Sequence, residues 1–121
     1  MKTLLIALSG GALLCAGMAG ARAADVEAGK AAFEKFTCVT CHGADAKTAT
    51  DPSYPTLAGQ HKDYLVHALR AYQRGQQGAP ASSNIRRNPI MGAMAAPLSA
   101  ADIENIAAWL ETLPSPLAVR K

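Results

Sequence analysis

The segment Cys38-Val39-Thr40-Cys41-His42 decides what the rest of the chain must accommodate. Two cysteines three residues apart, followed directly by a histidine, are the signature of covalent c-type haem attachment. At the end of a helix the two sulfurs lie on nearly the same face, so both can add to the vinyl groups of one porphyrin while the imidazole reaches the iron. The segment therefore predicts haem c, one per chain, bound covalently through Cys38 and Cys41.

Three other interpretations of the segment compete with haem attachment. A zinc site built on Cys38, Cys41 and His42 needs a fourth ligand, and only His61 and His67 remain, with no second cysteine pair. A thioredoxin-like dithiol requires a βαβ context, and no strand pattern is present. A structural disulfide leaves His42 unexplained. Each accounts for less of the motif than haem attachment does.

Length and composition place the chain among small single-domain proteins. It has 121 residues, of which 50% are hydrophobic and 17% charged, values that exclude a disordered chain. The net charge of +3 is too small for a nucleic-acid binder that neutralises phosphates. A multidomain enzyme and a polytopic membrane protein are also excluded.

The first 23 residues have the pattern of a secretory signal peptide. A basic start precedes the apolar run Leu4–Leu14 and a small-residue ending, which predicts cleavage after Ala23 and export to the periplasm. The run is shorter than the roughly 20 residues that span a bilayer, although an uncleaved anchor is the alternative. A lipoprotein reading of Cys15 is disfavoured because a leucine precedes it.

The mature chain is then residues 24–121, one domain with a tail that we expect to be mobile from about residue 114. Removal of the signal takes away two basic residues and no acid, so the mature charge is +1 over 98 residues. No membrane span is expected in the mature chain. A domain this small is marginally stable without help, and a covalent cofactor would supply it.

The periodicity of apolar residues predicts an all-α fold with three main helices. The first is capped by Asp25 and ends near Thr37, and the second runs from about Lys62 to Arg74 with Gly75 as its C′ residue. The third begins at Ser99, with Asp102 as its capping-box partner, and stops at Pro114. The connections at residues 43–60 and 75–98 are long, as expected of loops that wrap around a cofactor.

Over nearly all of its mature length the chain resembles class I c-type cytochromes, in particular one half of the dihaem periplasmic cytochromes. The resemblance is carried, in order, by Gly29 and Phe33, the segment 38–42, Tyr54-Pro55-Thr56-Leu57-Ala58-Gly59-Gln60, Asn88-Pro89-Ile90-Met91-Gly92-Ala93-Met94, and Leu98-Ser99 before the Trp109 helix.

That resemblance implies a role for several residues. His42 would be the proximal iron ligand and Met91 the distal one, with Met94 as the second choice and a packing residue otherwise. The Pro55 carbonyl would accept the second imidazole N–H, although an ordinary turn proline is the alternative. Gly29 would allow close approach of the helix that carries Trp109. Pro89, Gly92 and Pro97 suggest that the methionines lie in an extended loop.

Other polar side chains receive weaker assignments. His61 and His67 are expected at the surface rather than as ligands. The pair Arg86-Arg87 is expected to be a solvated loop pair, with haem propionates or an acidic partner as alternative contacts. Tyr54 and Tyr64 fit equally well as propionate partners or as packing residues.

The resemblance implies a periplasmic electron carrier rather than an enzyme, passing single electrons between respiratory or dehydrogenase partners. Iron held by His42 and Met91 has no vacancy for substrate, which favours outer-sphere electron transfer. Redox partners would dock transiently at the haem edge of a monomer, with no nucleic acid involved. The alternatives are a haem subunit of a larger dehydrogenase, and a haem enzyme or ligand sensor with a displaceable methionine.

Overall fold

The structure is a computed structural model that describes residues 23–115, and in that part of the chain it contains helices and no strands. The expected signal peptide, apart from Ala23, and the end of the expected tail lie outside the described residues. The elements are α1 (Val26–Lys35), α2 (Val39–His42), α3 (Lys62–Gln76), a 3₁₀ turn (Ala81–Ser83), α4 (Pro89–Ala95) and α5 (Ala100–Thr112). The all-α prediction is confirmed, with more helices than the three main ones expected.

Helix α1 forms where the sequence predicts it and leads directly into the haem motif. The Asp25 side chain accepts a hydrogen bond from the Ala28 amide at 3.0 Å, which satisfies one of the free N–H groups of the first turn. The helix ends at Lys35, slightly earlier than expected, because Thr37 adopts a left-handed φ of +57°. The chain then turns into the short helix α2, which contains Cys41 and His42.

The crossing of α1 and α5 forms the centre of the fold. The two backbones meet at Gly29, where an added Cβ would overlap the Asn105 carbonyl oxygen and lie 2.9 Å from the Trp109 Cβ. The Phe33 and Trp109 rings pack with their centroids 5.0 Å apart. The expected contact between Gly29, Phe33 and the Trp109 helix is therefore confirmed.

Helix α3 extends further than the sequence predicts. It continues through Gly75 to Gln76, and the residue with a left-handed φ is Gly78, at +77°. Gly75 is therefore not the C′ residue. The Arg86 carbonyl oxygen lies against it so closely that an added Cβ would overlap that oxygen, so this glycine permits contact between helix and loop.

The methionine segment is a helix, α4, and not the extended loop that its prolines suggested. Pro89 occupies the first turn, where its missing N–H breaks no intrahelical hydrogen bond. The Asn88 side chain caps this end by accepting from the Met91 amide at 2.9 Å, and Pro97 lies beyond the other end. Prolines at these positions delimit a short helix.

Helix α5 begins with the capping box that the sequence predicts. The Ser99 hydroxyl accepts from the Asp102 amide at 3.1 Å, and the Asp102 carboxylate accepts from the Ser99 amide at 2.9 Å. Helix α5 packs against both α1 and α3. The buried side chains of these helices form one core, whose largest fully buried members are Phe33, Ile103 and Leu110.

The connection at residues 43–60 has no helix, as expected, and is fixed by hydrogen bonds. Ala46, which is fully buried, accepts from the amides of Leu57 and Ala58, and the Gly59 amide donates to the Leu110 carbonyl of α5 at 2.8 Å. This loop is thereby fastened to the central helix crossing. Among the described helices, none has the length and apolar character needed to cross a membrane.

Candidate cofactor site

One cleft brings together every residue that the sequence assigned to haem binding. Cys38, Cys41, His42, Met91 and Met94 all line it. The remaining lining is mainly apolar and comes from the helix core and from α3, including Phe33, Leu65, Leu69, Ile106 and Leu110. Among residues 23–115, no aspartate or glutamate lines the cleft. A large apolar group with one or two polar points of attachment suits such walls.

His42 is held in a defined orientation by the loop that follows it. The side chain is 5% exposed, and its Nδ1 lies 3.1 Å from the Pro55 carbonyl oxygen. Because a carbonyl only accepts, Nδ1 carries the hydrogen and Nε2 keeps its lone pair. Burial lowers the pKa of the imidazole, while the hydrogen bond to Pro55 opposes this shift. A neutral ring with a free Nε2 is the form that binds a metal, and the expected role of Pro55 as hydrogen-bond acceptor is confirmed.

The two cysteine sulfurs stand at the same cleft as free, half-buried thiols. Burial raises the pKa of Cys38, against a smaller opposing effect of a backbone hydrogen bond, so the neutral thiol is favoured. Within residues 23–115, no three side chains of the His, Cys, Asp and Glu types are placed to hold a metal ion together. The two thiols and the imidazole are therefore not arranged as the zinc alternative requires.

Both methionines of α4 reach the cleft. Met91 lies in the first turn and Met94 three residues later, a spacing that puts them on one helix face. Each is half-buried. The donor set of the cleft is therefore one imidazole, two thiols and two thioethers, which fits a covalently attached haem with a histidine and a methionine as axial ligands.

Arg86 is not the solvated loop residue that the sequence suggested. Its guanidinium carbon lies 5.4 Å and 5.6 Å from the ring centroids of Tyr64 and Tyr72, and its Nη2 is 3.2 Å from the Tyr64 hydroxyl oxygen. The hydrogen bond to Tyr64 is the main cause of a raised pKa of Arg86. All three side chains line the cleft, whereas Arg87 is exposed as expected. No local pattern in the sequence pairs Tyr72 with Arg86, because the two residues are brought together only by the fold.

The remaining histidines are surface residues, as expected. Both His61 and His67 are exposed. The His61 side chain is 93% exposed, and its Nδ1 lies 3.8 Å from the Glu111 carboxylate. Neither lines the cleft. Tyr54, by contrast, is half-buried beside the motif, with its ring centroid 6.2 Å from that of His42, so it packs against the imidazole.

Comparison with known proteins gives consistent matches along the described helices. The cytochrome c family profile matches residues 26–114. The chain is 34% identical over 113 residues to a thiosulfate dehydrogenase electron acceptor of Thiomonas intermedia (strain K12), covering 93% of this chain and 45% of that protein. It is 40% identical over 73 residues to cytochrome c-554(548) of Halomonas halodenitrificans, covering 60% of this chain and 80% of that protein.

A solved structure agrees with these matches. The crystal structure of reduced recombinant cytochrome c4 from Pseudomonas stutzeri is 36% identical in sequence and gives a TM-score of 0.65, over 76% of this chain and 47% of that one. The chain thus spans less than half the length of this cytochrome c4 and of the thiosulfate dehydrogenase electron acceptors that it matches.

Proposed function

Since this chain belongs to the cytochrome c family, we propose that it carries single electrons between redox proteins in the periplasm. Its fold is the small all-α fold of class I c-type cytochromes and resembles one half of a dihaem cytochrome. Its cofactor is covalently bound haem c. When bound, the haem supplies an iron whose charge changes by one electron.

We assign the thioether bonds to Cys38 and Cys41, the proximal ligand to His42 and the distal ligand to Met91, with Met94 as second choice. The observation that carries the proposal is the free Nε2 of a buried, neutral imidazole in the same cleft as the α4 methionines. Two protein ligands leave the iron no position for a substrate, which favours a carrier over a catalyst. The soft thioether also favours the reduced state and raises the potential.

The surrounding residues keep this arrangement fixed during electron exchange. The Pro55 carbonyl orients the His42 ring and strengthens it as a donor. Apolar side chains such as Phe33, Leu65 and Leu110 exclude water from the cleft. Neither proposed iron ligand has to move when an electron is transferred, and the apolar side chains of the cleft need no new hydration. The reorganisation energy of electron transfer is therefore small.

Redox partners would dock at the mouth of the cleft. Tyr64 and Ile90 line the cleft and are 49% and 55% exposed, an unusual exposure for large hydrophobic residues in the described part of the chain. An interface below about 1,200 Å² would release quickly, as a mobile carrier requires. We propose a monomer that is exported by the signal peptide at residues 1–23 and works as the single domain 24–121.

Similarity to the thiosulfate dehydrogenase electron acceptors supports a dehydrogenase as the electron donor. Such a donor is also compatible with the chain serving as a fixed haem subunit of a dehydrogenase. Recovery of a stable complex from the native host would favour the subunit, whereas rapid reduction by a dissociable donor would favour the carrier.

A pyridine haemochrome spectrum together with an intact mass tests the attachment and the cleavage site. We expect one covalent haem on a chain that begins at Ala24. Colourless protein with two unmodified thiols, exported by cells able to mature c-type cytochromes, would refute the proposal.

The distal ligand is tested by the matched variants Met91→Ala and Met94→Ala. We expect Met91→Ala to lose the thioether-to-iron absorption band and lower the potential, while Met94→Ala keeps the band. The reverse pattern would assign the ligand to Met94. Rapid carbon monoxide binding by the reduced wild-type protein at neutral pH would instead indicate a ligand sensor or enzyme.

A further inference from the structure

One side chain of α3 fastens the C-terminal end of α4, the helix that carries both candidate distal ligands. The Gln73 Nε2 donates to the Ala95 carbonyl at 2.9 Å and to the Leu98 carbonyl at 2.8 Å. Both partners can only accept, so the amide nitrogen faces them and each of its hydrogens is used. Gln73 thus joins the last residue of α4 to the turn that leads into α5.

The Ala95 carbonyl is one of the groups that the end of a helix leaves without an intrahelical partner, and the Leu98 carbonyl lies in the turn that follows. Ala95 is fully buried and Leu98 is 7% exposed. The Ala95 carbonyl also accepts from the Leu98 amide at 3.1 Å, so the two acceptors and Gln73 form one connected turn. Without Gln73 the Ala95 carbonyl would keep the Leu98 amide, but the Leu98 carbonyl would lose its donor, and leaving a buried acceptor unsatisfied costs more than the net strength of the bond. Gln73 is therefore well placed to stabilise this end of α4.

The position of this helix end determines where the methionine sulfurs lie. Met94 directly precedes Ala95, and Met91 lies one turn earlier on the same face. In the middle of α4, Gly92 lies against the Gln76 side chain of α3, and the N-terminal end is capped by Asn88 within its own segment. A shift of α4 at the end held by Gln73 therefore moves either sulfur relative to the cleft.

Resting on the proposed thioether ligation, we propose that Gln73 is a positioning residue, which holds α4 against α3 and so keeps the distal methionine bound to the haem iron. It touches neither the cofactor nor a redox partner; it acts through the two carbonyl groups that follow the methionines. The role is the same whether Met91 or Met94 is the ligand.

The test follows the thioether-to-iron band of the oxidised holoprotein while the pH is raised until the methionine is displaced. Leucine is similar to glutamine in size and is also a good helix former, but its side chain has no hydrogen-bond donor. Gln73→Leu therefore removes both bonds. We expect the midpoint pH of band loss to fall by about one unit, a roughly tenfold shift towards displacement, as the loss of two ordinary hydrogen bonds implies. Gln73→Ala is expected to shift it at least as far.

Arg70→Ala is the matched control on the same helix. It removes the 2.9 Å contact between Arg70 Nη2 and Glu104, which joins α3 to α5 and not to α4, and it should leave the midpoint unchanged. If the midpoint pH of Gln73→Leu were the same as that of wild type, Gln73 would contribute only packing, and the proposal would be overturned. An equal shift in Arg70→Ala would also overturn it, since any loosening of α3 would then suffice.

Amide hydrogen exchange on the wild-type holoprotein decides the matter if the variants do not fold. The Ala96 amide donates to the Gly92 carbonyl at 3.0 Å at the end of α4, and we expect it to exchange as slowly as amides inside α3. Fast exchange there would overturn the proposal. A wild-type protein without the thioether band would refute the methionine assignment alone, while the exchange rate at Ala96 would still show whether the end of α4 that Gln73 contacts is held in place.

Discussion

Gly29→Ala is the substitution whose effect can be worked out most directly from the α1–α5 crossing. The new Cβ would lie 2.5 Å from the Asn105 carbonyl carbon, closer still to the carbonyl oxygen, and 2.9 Å from the Trp109 Cβ. These atoms belong to the backbone or to the stem of a side chain, so no rotamer change removes the overlap. The two helices must move apart.

Two opposing effects set the size of the destabilisation. Overpacking of a tight site costs about 1–3 kcal/mol, and separating the helices also strains the 2.8 Å bond from the Asp25 amide to the Asn105 side chain, worth about 1 kcal/mol. Alanine in place of a helical glycine stabilises the helix by about 0.5–1 kcal/mol. We therefore expect the free energy of unfolding to fall by about 1–3 kcal/mol.

Denaturant unfolding of the holoprotein, followed by far-ultraviolet circular dichroism, measures this difference. Gly92→Ala is the matched control, because it gains the same helix propensity while the atom nearest to its Cβ would be the terminal oxygen of the flexible Gln76 side chain, 2.6 Å away. We expect it to lie within about 1 kcal/mol of wild type. If Gly29→Ala were as stable as Gly92→Ala, the backbone contact at the crossing would not have the importance assigned to it.

Two further perturbations act at the surface of the fold. Ser99→Ala removes the hydroxyl that accepts from the Asp102 amide, so thermal unfolding should show a loss of about 1 kcal/mol, and an unchanged melting temperature would contradict this role. Asp45 accepts hydrogen bonds from Thr48 and from the Lys47 amide, which lower its pKa from 3.8 to about 2. Because the folded-state pKa is the lower one, the stability it contributes is present above about pH 4 and is lost as the pH falls towards 2. Asp45→Asn should therefore flatten the fall in stability with pH in an acid titration, whereas an unchanged slope would contradict the assignment.

Features encoded within a few neighbouring residues could be predicted from the sequence. The Asp25 cap and the Ser99–Asp102 capping box rest on fixed local spacings and have the expected geometry. The attachment motif also rests on a local spacing, and its two cysteines and histidine line one cleft. Family resemblance added non-local contacts, namely the Pro55 carbonyl at His42 and the approach of α5 to Gly29. Those contacts could not have been worked out from periodicity alone.

The incorrect predictions came from reading residue types without their positions. Proline is typical of a loop, but Pro89 lies in the first turn of a helix, where proline is tolerated. Glycine is typical of a helix end, but Gly75 lies within α3, where it lets the Arg86 backbone approach the helix. The stacking of Arg86 on Tyr64 and Tyr72 depends on that same approach of the Arg86 backbone to α3. One tertiary contact therefore accounts for two of the differences between the predicted and the observed structure.

The two sides of the cleft are anchored to different helices. On the histidine side, the loop that carries Pro55 is fastened to α5 through the Gly59 amide and the Leu110 carbonyl. On the methionine side, the chain is fastened to α3: the Arg86 amide donates to the Ala71 carbonyl, and Gln73 binds the end of α4.

The ion pairs of Lys62 and Arg70 with Glu104 also join α3 to α5, but their side chains are 30–42% exposed, so these pairs add little to holding the two sides together. Because the histidine side is fastened to α5, a change at the α1–α5 crossing acts on the whole fold, histidine side included. Loss of the Gln73 contacts acts first on α4, and so loosens the methionine proposed as one iron ligand while His42, the other proposed ligand, remains in place.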